Sequence, residues 1–232
     1  MTIGVEIEFY CPGANLELLT NILPEYQFLL ERGKDQFEYH LDPRPASHCL
    51  DICETIEESR NLIRTRLASK KLSADFSPKP YEDDYGSSLQ FQFSNQSELF
   101  QNKTEEICAS FCHYASSTFL AYAHTPIDYK RFKSEFMAPT HISYGFNNRT
   151  CLIRINGESQ KRIEIRSPSS KSEPYLVLST ILMNIYRALT EEPRHNKYTK
   201  IYGNSYDSQY NLDKIPETIL DAEKLFNEEF FL

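Results

Sequence analysis

The stretch GVEIEFY, residues 4–10, alternates strictly between apolar and acidic side chains. Glu6 and Glu8 fall on one side of the alternation, and the other side carries Val5, Ile7 and Phe9. A period of two residues is typical of a strand with one buried face, so we predict a strand over 3–10 that ends before Pro12. The acidic face of this strand is the feature that the rest of the chain must accommodate.

Two later stretches repeat the same arrangement of one apolar and one polar face. LQFQF, residues 89–93, places Gln90 and Gln92 on one side, and KRIEIRS, residues 161–167, places Arg162, Glu164 and Arg166 on one side. Strands with one apolar face pack that face on a core, so the three polar faces are expected to converge on one sheet.

Between these strands the patterns predict both helices and further strands, and hence an α+β fold. The predicted helices cover about 15–23, 50–69, 105–123, 174–189 and 215–226. A hairpin is predicted from 26–30 and 36–41 around the turn at 32–35, and 141–146 and 151–155 are strand-like on either side of the turn at 147–149. Residues 127–140 are predicted to be irregular.

Length and composition restrict the class of protein. With 232 residues, 40% of them hydrophobic, and no repeat or flexible linker, the chain is expected to form a single domain over residues 1–232. The net charge of −8 and the lack of a run of Lys and Arg argue against binding to nucleic acid or to an anionic membrane. The amino terminus does not resemble a signal peptide, so a cytoplasmic location is expected.

The six cysteines are expected to be reduced thiols, because four of them form two pairs with helical spacing rather than a disulfide framework. Cys49/Cys53 and Cys108/Cys112 are each next to a histidine, which leaves a zinc site conceivable. Structural zinc sites more often use C-x2-C spacing, so buried cysteines on helix faces are the favoured interpretation.

Glu6 and Glu8 repel one another unless a cation or a basic side chain lies between them. Hard divalent cations such as Mg²⁺ or Mn²⁺ prefer such oxygen ligands. A lone Glu-x-Glu is also found on ordinary solvated strands, and Arg162, Glu164 and Arg166 could be a surface salt-bridge ladder. Together with arginines near the predicted turns, however, these residues match a site for a metal, a nucleotide and phosphoryl transfer.

Five blocks in order resemble the catalytic domain of the glutamine synthetase family. They are GVEIEFY, LLERGKDQFEYHL, FSPKPYEDDYGSSLQFQF, DYKRFKSEFMAPTHISYGFNNRTCLIRI and KRIEIRSPSSKSEPYLVLSTILM, and KIPETILDAEKLFNEEFFL is similar to the family's closing segment. The resemblance implies a curved, largely antiparallel sheet with flanking helices. It also implies a reaction in which ATP activates a carboxylate as an acyl phosphate that an amine then attacks.

The resemblance also implies roles for individual residues. One Mg²⁺ or Mn²⁺ ion would be held by Glu8, Glu31 and Glu38, and a second, bridging the ATP phosphates, by Glu6 and Glu164 with Gln90. The nucleotide side would include Gln92, and phosphate would be held by Arg149, Arg154 and Arg162. The carboxylate substrate would meet Arg131, Gly86 and Arg166, and the catalytic arginines would be Arg149, Arg154, Arg162 and Arg166.

The chain departs from the family pattern at several places. The family's two histidines fall on Gln90 and Gln92, which are neutral and do not titrate. Met137 stands where the family has the glutamate that helps to deprotonate ammonium, and Glu135 lies two positions away. The chain also starts at the first metal strand and has a short interval between Glu8 and Glu31, so the family's small amino-terminal β-domain and a large intervening part are expected to be lacking.

Three functions therefore compete. The first is an ATP-dependent ligase that joins a small carboxylate to an unidentified amine other than ammonia, or a related phosphotransferase, acting alone or as a homo-oligomer. Its acceptor would be a larger amine, an amino acid or a guanidino compound. The second is a non-catalytic descendant that binds a nucleotide or a partner. The third, a metal-dependent nuclease, is disfavoured because the acidic chain offers no stripe that would bind a nucleic-acid backbone.

Overall fold

In a computed structural model of the protein, residues 1–191 and 197–226 are described. Seven strands form one sheet in the order β2-β3-β1-β4-β7-β6-β5. The strands are β1 (Thr2–Tyr10), β2 (Phe28–Leu30), β3 (Gln36–Pro45), β4 (Leu89–Ser94), β5 (Tyr144–Phe146), β6 (Ile153–Asn156) and β7 (Arg162–Ile165). Every pair of neighbours is antiparallel except β5 and β6, which are parallel.

Helices pack against the sheet and against one another. They are α1 (Leu16–Ile22), α2 (Cys49–Ser69), α3 (Glu98–Asn102), α4 (Thr104–Tyr122), α5 (Pro126–Tyr129), α6 (Pro174–Thr190) and α7 (Ile219–Leu225). Side chains fix several helix starts: Asn15 accepts a hydrogen bond from the Leu18 N–H at α1, and Glu173 accepts bonds from the first N–H groups of α6, where Pro174 has no N–H to satisfy.

One face of the sheet forms the main core. The apolar side chains of β1, β4, β6 and β7 are almost fully buried, and they include Ile7, Phe9, Phe91, Ile153 and Ile163. Helix α2 buries Ile52, Ile56, Ile63 and Leu67, whose spacing places them on one face of the helix. Burial of this face leaves the polar side chains of the same strands on the opposite face.

The predicted α+β fold, with a largely antiparallel sheet and flanking helices, is confirmed. The sequence patterns located β1, α1, α2, β4, α4 and α6 to within a few residues. The prediction that residues 127–140 are irregular was wrong at their start. There a capping box formed by Thr125 and Asp128 starts the short helix α5. Helix α3 was not predicted, and α7 begins at Ile219, four residues later than expected, because Thr218 caps it.

The turn at 147–149 does not join a hairpin. Tyr144 pairs with Ile153 and Phe146 with Ile155, so β5 and β6 run in the same direction with the connecting residues looped between them. The pattern of two short apolar runs around a turn carries no information about direction, which the pairing of β5 with β6 decides.

All six cysteines are unpaired. Cys53, Cys108 and Cys112 are buried on α2 and α4, in agreement with the favoured interpretation of the cysteine pairs. Within residues 1–191 and 197–226, no group of three metal-ligating side chains includes a cysteine. In the same ranges, no helix is both long enough and apolar enough to cross a bilayer.

Replacing Phe91 by alanine is expected to lower the free energy of unfolding by about 3–5 kcal/mol, because the ring is fully buried at the centre of the sheet. The matched control is Phe146→Ala on the edge strand β5, where the ring is 38% exposed, with an expected loss of about 1 kcal/mol or less. Urea unfolding followed by circular dichroism measures both values. Equal losses in the two variants would contradict the position of Phe91 in the core.

Candidate metal and nucleotide site

The polar face of the sheet brings the acidic residues of two neighbouring strands together. In the antiparallel pair β1/β3, Glu6 lies opposite His40 and Glu8 opposite Glu38, so these four side chains share one face. On the other side of β1, Gln90 of β4 lies opposite Glu6. Register alone therefore places Glu6 between an imidazole and an amide.

Four carboxylates, which we call the carboxylate end, meet on this face: Glu6, Glu8, Glu31 and Glu38. The ligand atoms of Glu8, Glu31 and Glu38 all lie within 4.8 Å of one another, and so do those of Glu6, Glu38 and His40. Glu38 belongs to both groups. The first group is the set predicted for one metal ion.

Burial, and then mutual repulsion, makes the carboxylate end costly to ionise. Burial, and then the charge of Glu38, raises the pKa of Glu6 to about 7 and that of Glu8 to about 8. Burial and the charge of Glu38 also raise the pKa of Glu31. In the described ranges, the only ion pair formed by these carboxylates joins Glu38 to His40, with 2.7 Å between Oε1 and Nε2.

The side chains of Gln90 and Gln92 donate hydrogen bonds to the carboxylate end. The Gln90 amide donates to Glu8 at 3.2 Å and to the Ser88 hydroxyl at 2.9 Å, and the Gln92 amide donates to Glu6. The Ser88 N–H also donates to Glu8 at 2.7 Å. An amide that coordinated a metal would turn its carbonyl oxygen inward instead.

The opposite end of the site, over β6 and β7, is rich in arginine. Glu164 is buried and receives Arg154 Nη1 and Arg166 Nε, each at 3.2 Å, together with the Asn156 amide at 2.6 Å. Glu164 is thus neutralised by two guanidinium groups and belongs to neither metal-ligand group. Sequence reasoning predicted it as a ligand shared with Glu6, and the structure brings Glu6 together with Glu38 and His40.

Arg131 is buried and packs on the segment that follows β7. Its terminal nitrogens donate to the carbonyls of Ser167 at 2.5 Å and of Pro168 at 3.1 Å, and burial lowers its pKa to about 10. A Cβ on Gly86 would lie 2.6 Å from the Arg131 Cβ, so the lack of a side chain at position 86 allows this close approach.

The turn between β2 and β3 aims Glu31 into the site. The Gln36 side chain accepts a bond from the Gly33 N–H at 2.9 Å and donates to the Gly86 carbonyl at 3.0 Å. A Cβ on Gly33 would meet the Tyr10 hydroxyl at 2.1 Å, so only glycine fits here. The turn is therefore tied to the loop before β4, and Glu31 is held beside Glu38.

Met137 lies at the mouth of the site, and Glu135 does not line it. Met137 adopts a left-handed conformation with φ of 54°, and its sulfur accepts a hydrogen bond from Arg32 Nη1 at 2.7 Å. Phe136 and Tyr85 pack edge to face beside it, with ring centroids 5.4 Å apart. This side of the site is therefore aromatic and thioether in character, and the exposed Glu135 does not replace the missing acid.

All the predicted site residues line one cavity of about 360 Å³. They are Glu6, Glu8, Glu31, Glu38, Gly86, Gln90, Gln92, Arg131, Arg149, Arg154, Arg162, Glu164 and Arg166. Sequence reasoning missed Arg32 and Asn156, which also line it, and His40 beside it. The alternation of β3 and β6 could have identified His40 from Glu38 and Asn156 from Arg154.

The donor set of the carboxylate end fits divalent cations. Oxygen ligands converge from strands β1 and β3 and from the turn that follows β2, and each carboxylate there lies close to another of like charge. A bound cation would remove this repulsion, and Mg²⁺ and Mn²⁺ both accept such ligands. The arginine end, with Arg149 and Arg162 exposed toward the cavity, suits phosphate oxygens.

Relatives found by comparison with known proteins include glutamine synthetases and a related synthetase. The family model for the glutamine synthetase catalytic domain matches residues 21–232. The gamma-glutamylputrescine synthetase PuuA of Escherichia coli K12 is 27% identical over 74% of this chain and 39% of its own length. The type-1 glutamine synthetase 1 of Dictyostelium discoideum is 25% identical over 96% of this chain and 48% of its own length.

Solved structures share the fold. GmaS without ligand superposes with a TM-score of 0.82 at 20% identity over 99% of this chain and 63% of that chain. The Plasmodium falciparum glutamine synthetase gives 0.73 at 16% identity, over 99% of this chain and 70% of that one. The chain spans less than half the length of the two curated relatives above. The family match over most of the sequence establishes that this chain belongs to the glutamine synthetase catalytic domain family.

Proposed function

We propose that the cavity is the site of an ATP- and divalent-metal-dependent carboxylate–amine ligase that does not use ammonia as its amine. The observation that carries the proposal is the division of one cavity into a carboxylate end and an arginine end. Cations held at one end and phosphate oxygens held at the other are what transfer of a phosphoryl group to a carboxylate requires. A bound metal ion would neutralise phosphate charge as the acyl phosphate forms.

The protein side chains have distinct proposed tasks. Glu8, Glu31 and Glu38 would hold one cation, and Glu6 would hold a second. Arg154 and Arg166 are held in place by Glu164, so their remaining N–H groups are oriented before a substrate arrives. Arg131 fixes the backbone after β7, and we propose that it acts on the substrate carboxylate mainly by positioning Arg166.

The acceptor side supports an amine with carbon atoms rather than ammonium. Met137, Phe136 and Tyr85 offer apolar contact and no group that could take a proton from ammonium at neutral pH. A relative in the comparison is named for glutamylputrescine synthesis, which joins a carboxylate to a larger amine. An alkyl amine would gain apolar contact where ammonium would not.

Changing Glu38 to glutamine is expected to abolish at least about 99% of amine-dependent ADP formation, because Glu38 belongs to both ligand groups. The assay supplies ATP with Mg²⁺ or Mn²⁺ and a panel of carboxylates and alkyl amines. The matched control is Glu25→Gln, which removes only a surface ion pair with Arg66. Equal turnover in all three proteins would contradict the proposal, and no ADP formation with any pair would favour the non-catalytic alternative.

Stability in the presence of EDTA is expected to fall as pH rises from about 5 to about 8. The folded pKa values of Glu6 and Glu8, about 7 and about 8, exceed the ordinary 4.5, so folded protein binds more protons than the unfolded chain in this window. Their contribution is present in full below the unfolded pKa and is lost as pH rises through the folded values. Urea unfolding at several pH values measures it.

The Glu8→Gln variant serves as the comparison for this pH series, since it cannot ionise at position 8. Its stability is expected to decline less with pH than that of the wild type. Saturating Mn²⁺ is expected to offset the decline in the wild type, because a cation that binds only the folded state stabilises it. Identical pH slopes in both proteins, or no effect of Mn²⁺, would overturn the placement of Glu8 as a buried cation ligand.

A further inference from the structure

We propose that His40 is a direct ligand of the second cation, together with Glu6 and Glu38, and that it gives this site a preference for Mn²⁺ over Mg²⁺. This inference rests on the proposed function, which supplies the second cation. It assigns an imidazole that the family resemblance did not place in the site.

The sheet register determines which side chains can reach this cation. Glu6 on the inner strand β1 lies opposite His40 on β3 and opposite Gln90 on β4. The resemblance places a family histidine at position 90, where this chain has a neutral amide. The neighbour of Glu6 on β4 therefore lacks an imidazole, and its neighbour on β3 has one. The register places both neighbours on the same face of the sheet as Glu6.

The distances are suitable for a shared ion. The ligand atoms of Glu6, Glu38 and His40 lie within 4.8 Å of one another. An ion bound at about 2.1 Å from each of its ligands separates neighbouring ligand atoms by about 3 Å. His40 Nε2 lies 2.7 Å from Glu38 Oε1, so these two atoms would need to separate by only a few tenths of an ångström to share an ion.

The partners of the competing ligands favour His40. Glu164 is paired with Arg154 and Arg166 and accepts a hydrogen bond from Asn156, so a cation shared with Glu6 would have to displace these groups. The amide of Gln90, which the resemblance makes a ligand of the same cation, donates to Glu8 and to Ser88 instead. The side chain of His40 is 42% exposed, which leaves the ring free to turn without disturbing the core.

The imidazole of His40 determines which metal ion the second site should prefer. Mg²⁺ selects oxygen ligands and keeps several waters, whereas first-row transition ions bind imidazole nitrogen well. A site with two carboxylates and one imidazole therefore gains more affinity for Mn²⁺ than for Mg²⁺ from its nitrogen. Loss of that nitrogen should weaken Mn²⁺ binding by at least about tenfold and Mg²⁺ binding by less than about threefold.

The test is electron spin-echo spectroscopy of the full chain loaded with Mn²⁺, prepared once with natural histidine and once with ¹⁵N-histidine. The expected result is a histidine nitrogen coupling in wild type that changes with ¹⁵N labelling and is lost in His40→Gln. The matched control is His48→Gln, which changes an exposed histidine paired with Asp51 at the start of α2 and should keep the coupling. Titrations with Mn²⁺ and Mg²⁺ measure the two affinities.

A wild-type spectrum without histidine coupling overturns the proposal, even if His40→Gln does not fold. Persistence of the coupling in folded His40→Gln overturns it as well, as does a failure of the chain to bind Mn²⁺. Turnover without nitrogen coupling would contradict the His40 assignment alone. Nitrogen coupling without turnover would contradict the ligase activity alone.

Discussion

Burial of mutually repelling carboxylates on the neighbouring strands β1 and β3 is the constraint on which the site depends. Glu8 is almost fully buried, and Glu6 lies beside it on the same face of β1, while Glu38 enters from β3. The apolar face of β1 anchors the strand in the core, so these acids cannot move away to solvent. Folding thus holds together negative charges that only protons or cations can compensate.

At the arginine end, the charge of a buried carboxylate is compensated by the protein itself. Glu164 is as buried as Glu8, yet Arg154 and Arg166 neutralise it within the protein. Glu164 therefore holds two arginines in place. The acids Glu6 and Glu8 form no ion pair with an arginine in the described structure, and their pKa values are raised. The two ends of the cavity therefore differ in charge, with carboxylates predominating at one end and arginines at the other.

Much of the fold could be read from local patterns. The period of two residues in β1, β4 and β7 and the helical spacing in α2 and α6 reflect burial of one face, which is written directly into the order of residues. The patterns failed where short polar segments form structure, as in α3 and α5, because side-chain capping rather than periodicity starts those helices. They also gave no direction for β5, because the alternation within a strand is the same whether its neighbour runs parallel or antiparallel.

By itself the sequence determined which strands carry charge on one face, and its motif blocks indicated the family and the residues that line the cavity. Only the tertiary structure decided how these residues pair. It places Glu38 in both ligand groups, pairs Glu164 with Arg154 and Arg166, and sets His40 opposite Glu6. The physical reason is register, since the alternation within a strand fixes the face of each side chain but not its neighbour across the sheet.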